Sequence, residues 1–260
     1  MIKSTLPNLK ALILDMDGVL WRGIEPIGDL PSLFARIKDL GYKVLFATNN
    51  STGTIQFLQK KLTEFGISHT TDQIINSSMA VAHYLKKKFP KGGPVYILGE
   101  SGLTTPLGEE NFFHQNQDVL AVIAGLDREL TYKKLLEATT LIRAGALFIG
   151  TNPDRTYPSP MGIIPGAGSI IAALEASSGV QPEIIGKPFP PLFQTALERL
   201  GTLPEETLVV GDRLDTDILG GVRAGCPTAL VLSGVTSRAE LAHWQPLPDI
   251  VAESLTELLG

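Results

Sequence analysis

The 260-residue chain contains one cysteine, Cys226, and four histidines. A single thiol excludes an internal disulfide and any cysteine-rich zinc site. Such a residue packs as a small apolar side chain, and so little cysteine suits a reducing compartment. His69, His83, His114 and His243 are scattered without ligand spacing and read as surface or packing residues. Excess positive charge is also missing. The formal net charge of −5 argues against broad nucleic-acid binding, which needs clustered cations. Lys86-Lys87-Lys88 is a local basic cluster and reads as the solvated end of a helix. No apolar run is long enough to span a bilayer, and Met1 to Lys10 lacks the apolar core of a signal peptide. The expected setting is therefore cytoplasmic. There is no repeat of solenoid period and no low-complexity tract. With 43% hydrophobic and 19% charged residues, the chain can form a substantial core as one large domain or two ordinary ones.

Short apolar runs alternate with amphipathic stretches. Ala11-Leu12-Ile13-Leu14 has the length and composition of a buried strand of a parallel sheet. A turn or small hairpin follows through Gly18, Trp21, Gly23 and Pro26, with Trp21 packing the hairpin or stacking on a substrate. Leu30, Leu33, Phe34, Ile37 and Leu40 form one helical face, closed by Gly41. Val44-Leu45-Phe46-Ala47 predicts a second strand, followed by a helix through Ile55, Leu58, Leu62 and Phe65. The same alternation returns late in the chain. A short strand in 182–188, a helix over 192–200, strands over 207–210 and 228–232, and a short last strand over 249–251 are expected. The middle segment has its own strands (95–98, 119–123, 146–149) and helices (131–144, 169–178), with Gly166-Ala167-Gly168 as a turn into the last helix. These patterns predict an α/β fold with a Rossmann-like parallel-sheet core, residues 1–84 and 181–260, and a second, inserted α/β unit, residues 85–180.

The expected core strands run into polar residues of different kinds. Asp15 and Asp17 follow the first. Thr48, Asn49 and Asn50 follow the second. Lys187 follows the short strand in 182–188, and Asp212, Asp215 and Asp217 follow the strand over 207–210. Strand ends of a parallel sheet converge on one edge, where ligands bind. Carboxylates without histidine or cysteine suit a hard cation such as Mg2+. A lysine, a hydroxyl and backbone amides suit a phosphate. A carboxylate beside both is placed to act as a nucleophile toward phosphorus. Capping of the following helix is an equally good local reason for Thr48.

In this order, Asp15-Met16-Asp17-Gly18-Val19, Thr48, Lys187 and Gly211-Asp212 with Asp217 resemble the four motifs of the haloacid dehalogenase superfamily. The middle insertion resembles the C2-type cap of its subfamily IIA, the NagD and p-nitrophenyl phosphatase branch. Thr48-Asn49-Asn50-Ser51 and Thr151-Asn152-Pro153-Asp154 strengthen the likeness, which covers nearly the whole chain. The resemblance implies a Mg2+-dependent phosphatase acting on small phosphate monoesters: aryl phosphates, nucleoside monophosphates, phosphoglycolate or glycerol phosphate. It implies that Asp15 forms an aspartyl-phosphate and that Asp17 is the acid and base. Mg2+ would be held by Asp15, the main-chain carbonyl of Asp17, and Asp212. Thr48, Asn49, Asn50 and Lys187 would bind the phosphoryl group, and Asp217 would stand behind them as an orienting residue. Asp215 receives no role. Asn152, Asp154 and Arg155, in the segment 151–158, are candidates for specificity, with a surface loop as the alternative. Two other functions remain: a phosphotransferase or mutase on the same scaffold, and a non-catalytic phosphate-ligand binder. The expected partner is a small phosphate ester, with neither nucleic acid nor membrane; a homodimer is compatible with this reading but not required by it.

Overall fold

The strand Ala11–Leu14 is buried along its whole length and lies inside a six-stranded sheet. The sheet order is Ile250–Ala252, Thr228–Val231, Thr207–Gly211, Ala11–Leu14, Lys43–Thr48, Ile74–Asn76. Ala11–Leu14 pairs in parallel with both neighbours, Leu14 lying beside Val210 on one side and Phe46 on the other. From this strand the chain winds outward in one direction, then returns beside it through Thr207–Gly211 and winds outward in the other. The order reverses between Ala11–Leu14 and Thr207–Gly211, and such a reversal opens a crevice at the strands' carboxyl ends. Asp15 and Asp212 follow these two strands directly.

These observations come from a computed structural model of the protein, which describes residues 2–159 and 162–260. The chain forms two compact units. The first comprises Met1–Thr48, Ile55–Ile75 and Lys187–Gly260; the second comprises Asn49–Thr54 and Asn76–Gly186. The insertion thus begins at Asn76 rather than at residue 85 and runs to Gly186 rather than to residue 180, and the short segment Asn49–Thr54 goes with it.

In the first unit, Leu12, Leu14, Phe46, Leu208 and Val210 share a buried cluster with Leu33 and Ile37 of the helix Leu30–Asp39. Full burial of one such side chain contributes about 1.5–3 kcal/mol. The Asp29 side chain caps this helix by accepting from the Ser32 backbone N–H at 3.2 Å. Gly41 follows its end at φ +77°, a conformation that favours glycine. Trp21 is 1% exposed in the hairpin Trp21–Arg22/Glu25–Pro26 and packs at 5.5 Å from the ring of Phe65, so it is a packing residue. Cys226 is buried.

In the second unit, a five-stranded parallel sheet has the order Glu183–Ile184, Leu147–Gly150, Ala121–Ala124, Gly93–Leu98, Phe112–His114. Val122, Ala124 and Phe148 pack there against Ala138 and Ile142 of the helix Tyr132–Arg143 and Leu174 of the helix Ala167–Ser178. Lys86, Lys87 and Lys88 form the last turn of the helix Ser77–Lys88. This sheet corrects one expectation. The short strand before Lys187 is not a core strand: Glu183–Ile184 pairs with Leu147–Gly150 in the second unit. Two residues make too short a pattern to reveal which sheet claims them.

Candidate active site

The backbone continues the central strand one residue further, since the Asp15 N–H donates to the Val210 carbonyl at 2.9 Å. Asp15 therefore begins where regular pairing stops. Lys187 is 3% exposed, and its ammonium lies 2.7 Å from Asp15 Oδ1 and 2.8 Å from Asp217 Oδ1. A buried ammonium between two carboxylates is stable only with such partners. Lys187 enters just ahead of the helix Pro190–Leu200, from the connection rather than from a core strand.

Asp217 reaches the lysine through an unusual turn. Residues Leu214–Ile218 form a π-helical turn in which the Ile218 N–H donates to the Arg213 carbonyl at 3.2 Å. The turn folds Asp217 back over Gly211, where a Cβ would collide with the Asp217 side chain. The second oxygen of Asp217 accepts from the Arg213 N–H at 3.3 Å. Asp215 points elsewhere and pairs with Arg213 at 3.0 Å, both exposed.

Asp212 is 2% exposed and is fixed by a second loop. Its Oδ2 accepts from the Val235 N–H at 2.7 Å, and its carbonyl from the Thr236 N–H at 3.2 Å. Ser233 Oγ donates to the Gly18 carbonyl at 2.7 Å, and Arg22 Nε to the Ser233 carbonyl at 2.5 Å, tying that loop to the hairpin. Gly18 and Gly234 flank the Asp212 carboxylate so closely that a Cβ on either would overlap it. Neither proximity is visible from sequence spacing, because residue 234 lies beyond the next strand.

Carboxylate oxygens of Asp15, Asp212 and Asp217 all lie within 4.8 Å of one another. Burial raises the Asp15 pKa well above the usual carboxylate range, and the charges of Asp217 and Asp212 add to the effect against the opposing pull of Lys187. Burial, then Asp217, pushes Asp212 up to about 6, opposed by the Val235 N–H and Lys187. Burial works to lower the Lys187 pKa, but Asp15 and Asp217 outweigh it and hold it raised. Three acids against one lysine leave two negative charges when all are ionised. An all-oxygen set with that surplus fits a hard divalent cation such as Mg2+. Asp217, expected to orient Lys187 or metal-bound water, accepts from the Lys187 ammonium and also has an oxygen within this group.

Asp17 is placed differently. Its carboxylate is outside the acidic group. Its side chain is 71% exposed, accepts from the Trp21 indole N–H at 2.8 Å, and lies 3.9 Å from the Lys61 ammonium. Thr48 is buried at the end of its strand. Asn49 and Asn50 belong to the second unit. The Asn49 carbonyl accepts from Asn152 Nδ2 at 2.9 Å and from Ser77 Oγ at 2.8 Å, and its Nδ2 lies 3.3 Å from Asp154 Oδ2. Asn50 Oδ1 accepts from the Thr52 N–H at 3.0 Å. Asn152 and Asp154, two of the candidates for specificity, are thus engaged in fastening Asn49–Thr54 to the second unit, whereas Arg155 is exposed. His69 Nδ1 lies 2.9 Å from the Ile67 carbonyl, His114 Nδ1 accepts from the Ile97 N–H at 3.1 Å, and no histidine joins a metal-type cluster among the described residues.

Residues 12–113 match the family described as haloacid dehalogenase-like hydrolase, and residues 184–258 match a HAD-hydrolase-like family. The 5'-nucleotidase YutF of Bacillus subtilis is 38% identical over 252 residues, covering 97% of this chain and 98% of the relative. The chain belongs to the haloacid dehalogenase-like hydrolases. Two solved structures place it within them. The p-nitrophenyl phosphatase of Archaeoglobus fulgidus superposes with a TM-score of 0.91 at 32% identity, covering 96% of this chain and 98% of that one. NagD of Escherichia coli superposes with a TM-score of 0.89, also at 32% identity and with the same coverage. The chain is a NagD-like member of this family, with a parallel-sheet core and an inserted α/β cap. No helix among the described residues is long and apolar enough to cross a membrane.

Proposed function

We propose that this protein is a phosphatase that hydrolyses small phosphate monoesters through a covalent phosphoryl-Asp15, with Mg2+ as its cofactor. The observation that carries the reading is Asp15 itself: a largely buried carboxylate at the switch point of the core sheet, 2.7 Å from a buried lysine and inside a group of three acids. Phosphatase names among close relatives over almost the full length support it.

In this reading an Asp15 oxygen attacks phosphorus, the bond from phosphorus to the leaving oxygen breaks, and Asp17 gives that oxygen its proton. Water then attacks the phosphoryl-Asp15, Asp17 takes up a water proton, and the Asp15–phosphorus bond breaks. Ester and water become alcohol and phosphate, with Asp15 and Asp17 restored. Lys187 offsets charge on Asp15 and on the transferring phosphoryl group, and the Thr48 hydroxyl donates to it. Asp217 holds Lys187 in place at 2.8 Å. Asp15, Asp212 and the main-chain carbonyl of Asp17 would hold Mg2+, with Asp217 close by. When bound, the ion supplies positive charge that lets two negatively charged reactants meet. Asn49 and Asn50 receive no part in this mechanism. The single, buried cysteine suits work in the reducing cytoplasm.

The test is phosphate release from p-nitrophenyl phosphate with and without Mg2+, on the natural protein and Asp15→Asn. Metal-dependent turnover that disappears in Asp15→Asn is expected. Release only when an alcohol acceptor is supplied would mean a phosphotransferase. Binding of phosphate esters without turnover would mean a binder.

A further inference from the structure

The mechanism leaves one arrangement in the first unit unused. Asp17 Oδ1 accepts the indole N–H of Trp21 at 2.8 Å. Lys61, on the helix Ile55–Glu64, reaches the same oxygen at 3.9 Å. Its ammonium also lies over the Trp21 ring, 4.1 Å from the centroid, in cation–π contact. Trp21 is nearly inaccessible, braced by Phe65, so the indole has no freedom to follow a moving carboxylate. The Lys61 side chain is 18% exposed, far less than a solvated surface lysine. One hydrogen-bond donor and one ion-pair partner therefore converge on one oxygen of an otherwise exposed acid. Asp17 Oδ2 forms no hydrogen bond among the described residues.

We propose that Trp21 and Lys61 are positioning residues for Asp17. The indole hydrogen bond holds Oδ1, with the ammonium drawn to the same oxygen as an ion-pair partner, and Oδ2 is left to face the leaving oxygen. They also limit rotation of the carboxylate about its own axis. A proton donor with one competent oxygen, held at one angle, meets the leaving oxygen without a search among orientations. The role rests on the phosphatase reading, since it acts through the protonation of the leaving group. Trp21 serves by hydrogen bonding and Lys61 by charge from above the ring; neither touches substrate in this assignment.

Positioning of a general acid has a signature that loss of packing lacks. A good leaving group, p-nitrophenolate, departs with little need of a proton; an alkoxide does not. The experiment measures kcat/KM for p-nitrophenyl phosphate and for glycerol 2-phosphate with Mg2+ present. The natural protein is compared with Trp21→Phe, which keeps the ring and loses the N–H, and with Lys61→Met and Lys61→Arg. General acid catalysis contributes about 10²–10⁴-fold, so partial loss of positioning should lower kcat/KM for glycerol 2-phosphate about tenfold in Trp21→Phe and Lys61→Met. The value for p-nitrophenyl phosphate should fall less than about threefold, because its leaving group gains little from the acid. Lys61→Arg, which restores a cation over the ring, should recover most of the glycerol 2-phosphate activity. Equal losses on both esters, or no loss on either, in the Trp21 and Lys61 variants would overturn the positioning role while leaving the phosphatase reading intact. A natural protein that turns over neither ester would instead overturn the phosphatase reading, and this role with it. Should Trp21→Phe fold poorly, the two Lys61 variants decide the matter alone.

Discussion

Replacing Asp212 by asparagine should make the metal-free protein more stable while destroying its response to Mg2+. The magnitude follows from the site. Two unit charges within 4.8 Å of each other repel by about 3 kcal/mol at an effective dielectric near 20. The pKa displacement gives an independent figure. Asp212 rises from 3.8 to about 6, mainly because burial penalises its charge. At neutral pH a displacement of that size corresponds to about 3 kcal/mol of native-state penalty. Asparagine keeps an oxygen for the Val235 N–H and removes the charge. With relaxation, a gain of about 1–3 kcal/mol is expected, each kcal/mol raising Tm by about 2–4 °C at this chain length. The sign with pH is fixed by linkage. A carboxyl whose folded pKa lies above its unfolded value carries no penalty below 3.8. The penalty grows as pH rises from 3.8 to about 6 and is complete above that. The advantage of Asp212→Asn should therefore be full at pH 7 and vanish near pH 4. Mg2+ at a hundred times its Kd should stabilise the natural protein by about 2.7 kcal/mol, and Asp212→Asn should lose most of that shift. Thermal unfolding followed by calorimetry, with EDTA or Mg2+ at several pH values, reads all three quantities. A metal-free Asp212→Asn protein that is less stable at pH 7, or one that keeps its full Mg2+ shift, would refute this electrostatic account.

Two further predictions concern the groups around Asp212. Lys187→Met should remove turnover and lower the stability of the metal-free protein by about 3–5 kcal/mol, because Asp15 and Asp217 lose a shared buried partner; denaturant unfolding with Asp217→Asn added should recover part of the loss. Gly234→Ala should reduce Mg2+ affinity, since its Cβ overlaps the Asp212 carboxylate, which must shift and lose the Val235 N–H. Titration of the Mg2+-dependent Tm shift measures the change, and an unaltered affinity would mean that the loop yields instead.

Much of the core was legible because its strands are short, apolar and broken by polar turns. Ala11–Leu14 is apolar throughout, and Val44–Ala47 and Leu208–Val210 form the apolar interiors of Lys43–Thr48 and Thr207–Gly211. Periodicity marked the helix Leu30–Asp39 for the same reason: one face meets the sheet and the other meets water. The short strand in 182–188 joins the second unit's sheet, and its two paired residues carry no pattern that would say so. The strand Ile74–Asn76 carries too little pattern to announce itself.

The amino-acid order alone determined that apolar strands run directly into acids, because a buried strand must be continuous in apolar residues and cannot conceal a carboxylate within it. It determined the scarcity of thiols and imidazoles, and with that an oxygen-rich rather than a sulfur- or nitrogen-rich chemistry. Tertiary structure decided which acids meet. Asp217 joins Asp15 and Asp212 because a π-helical turn folds it back over Gly211, while Asp17, two residues from Asp15, turns to Trp21 and Lys61 instead. It also decided that Lys187 reaches the acids from a connecting segment and that Asn49–Thr54 belongs with the insertion. The physical reason is range. Local pattern reports which face of an element is apolar, whereas the direction of a polar side chain depends on partners brought up from distant parts of the chain.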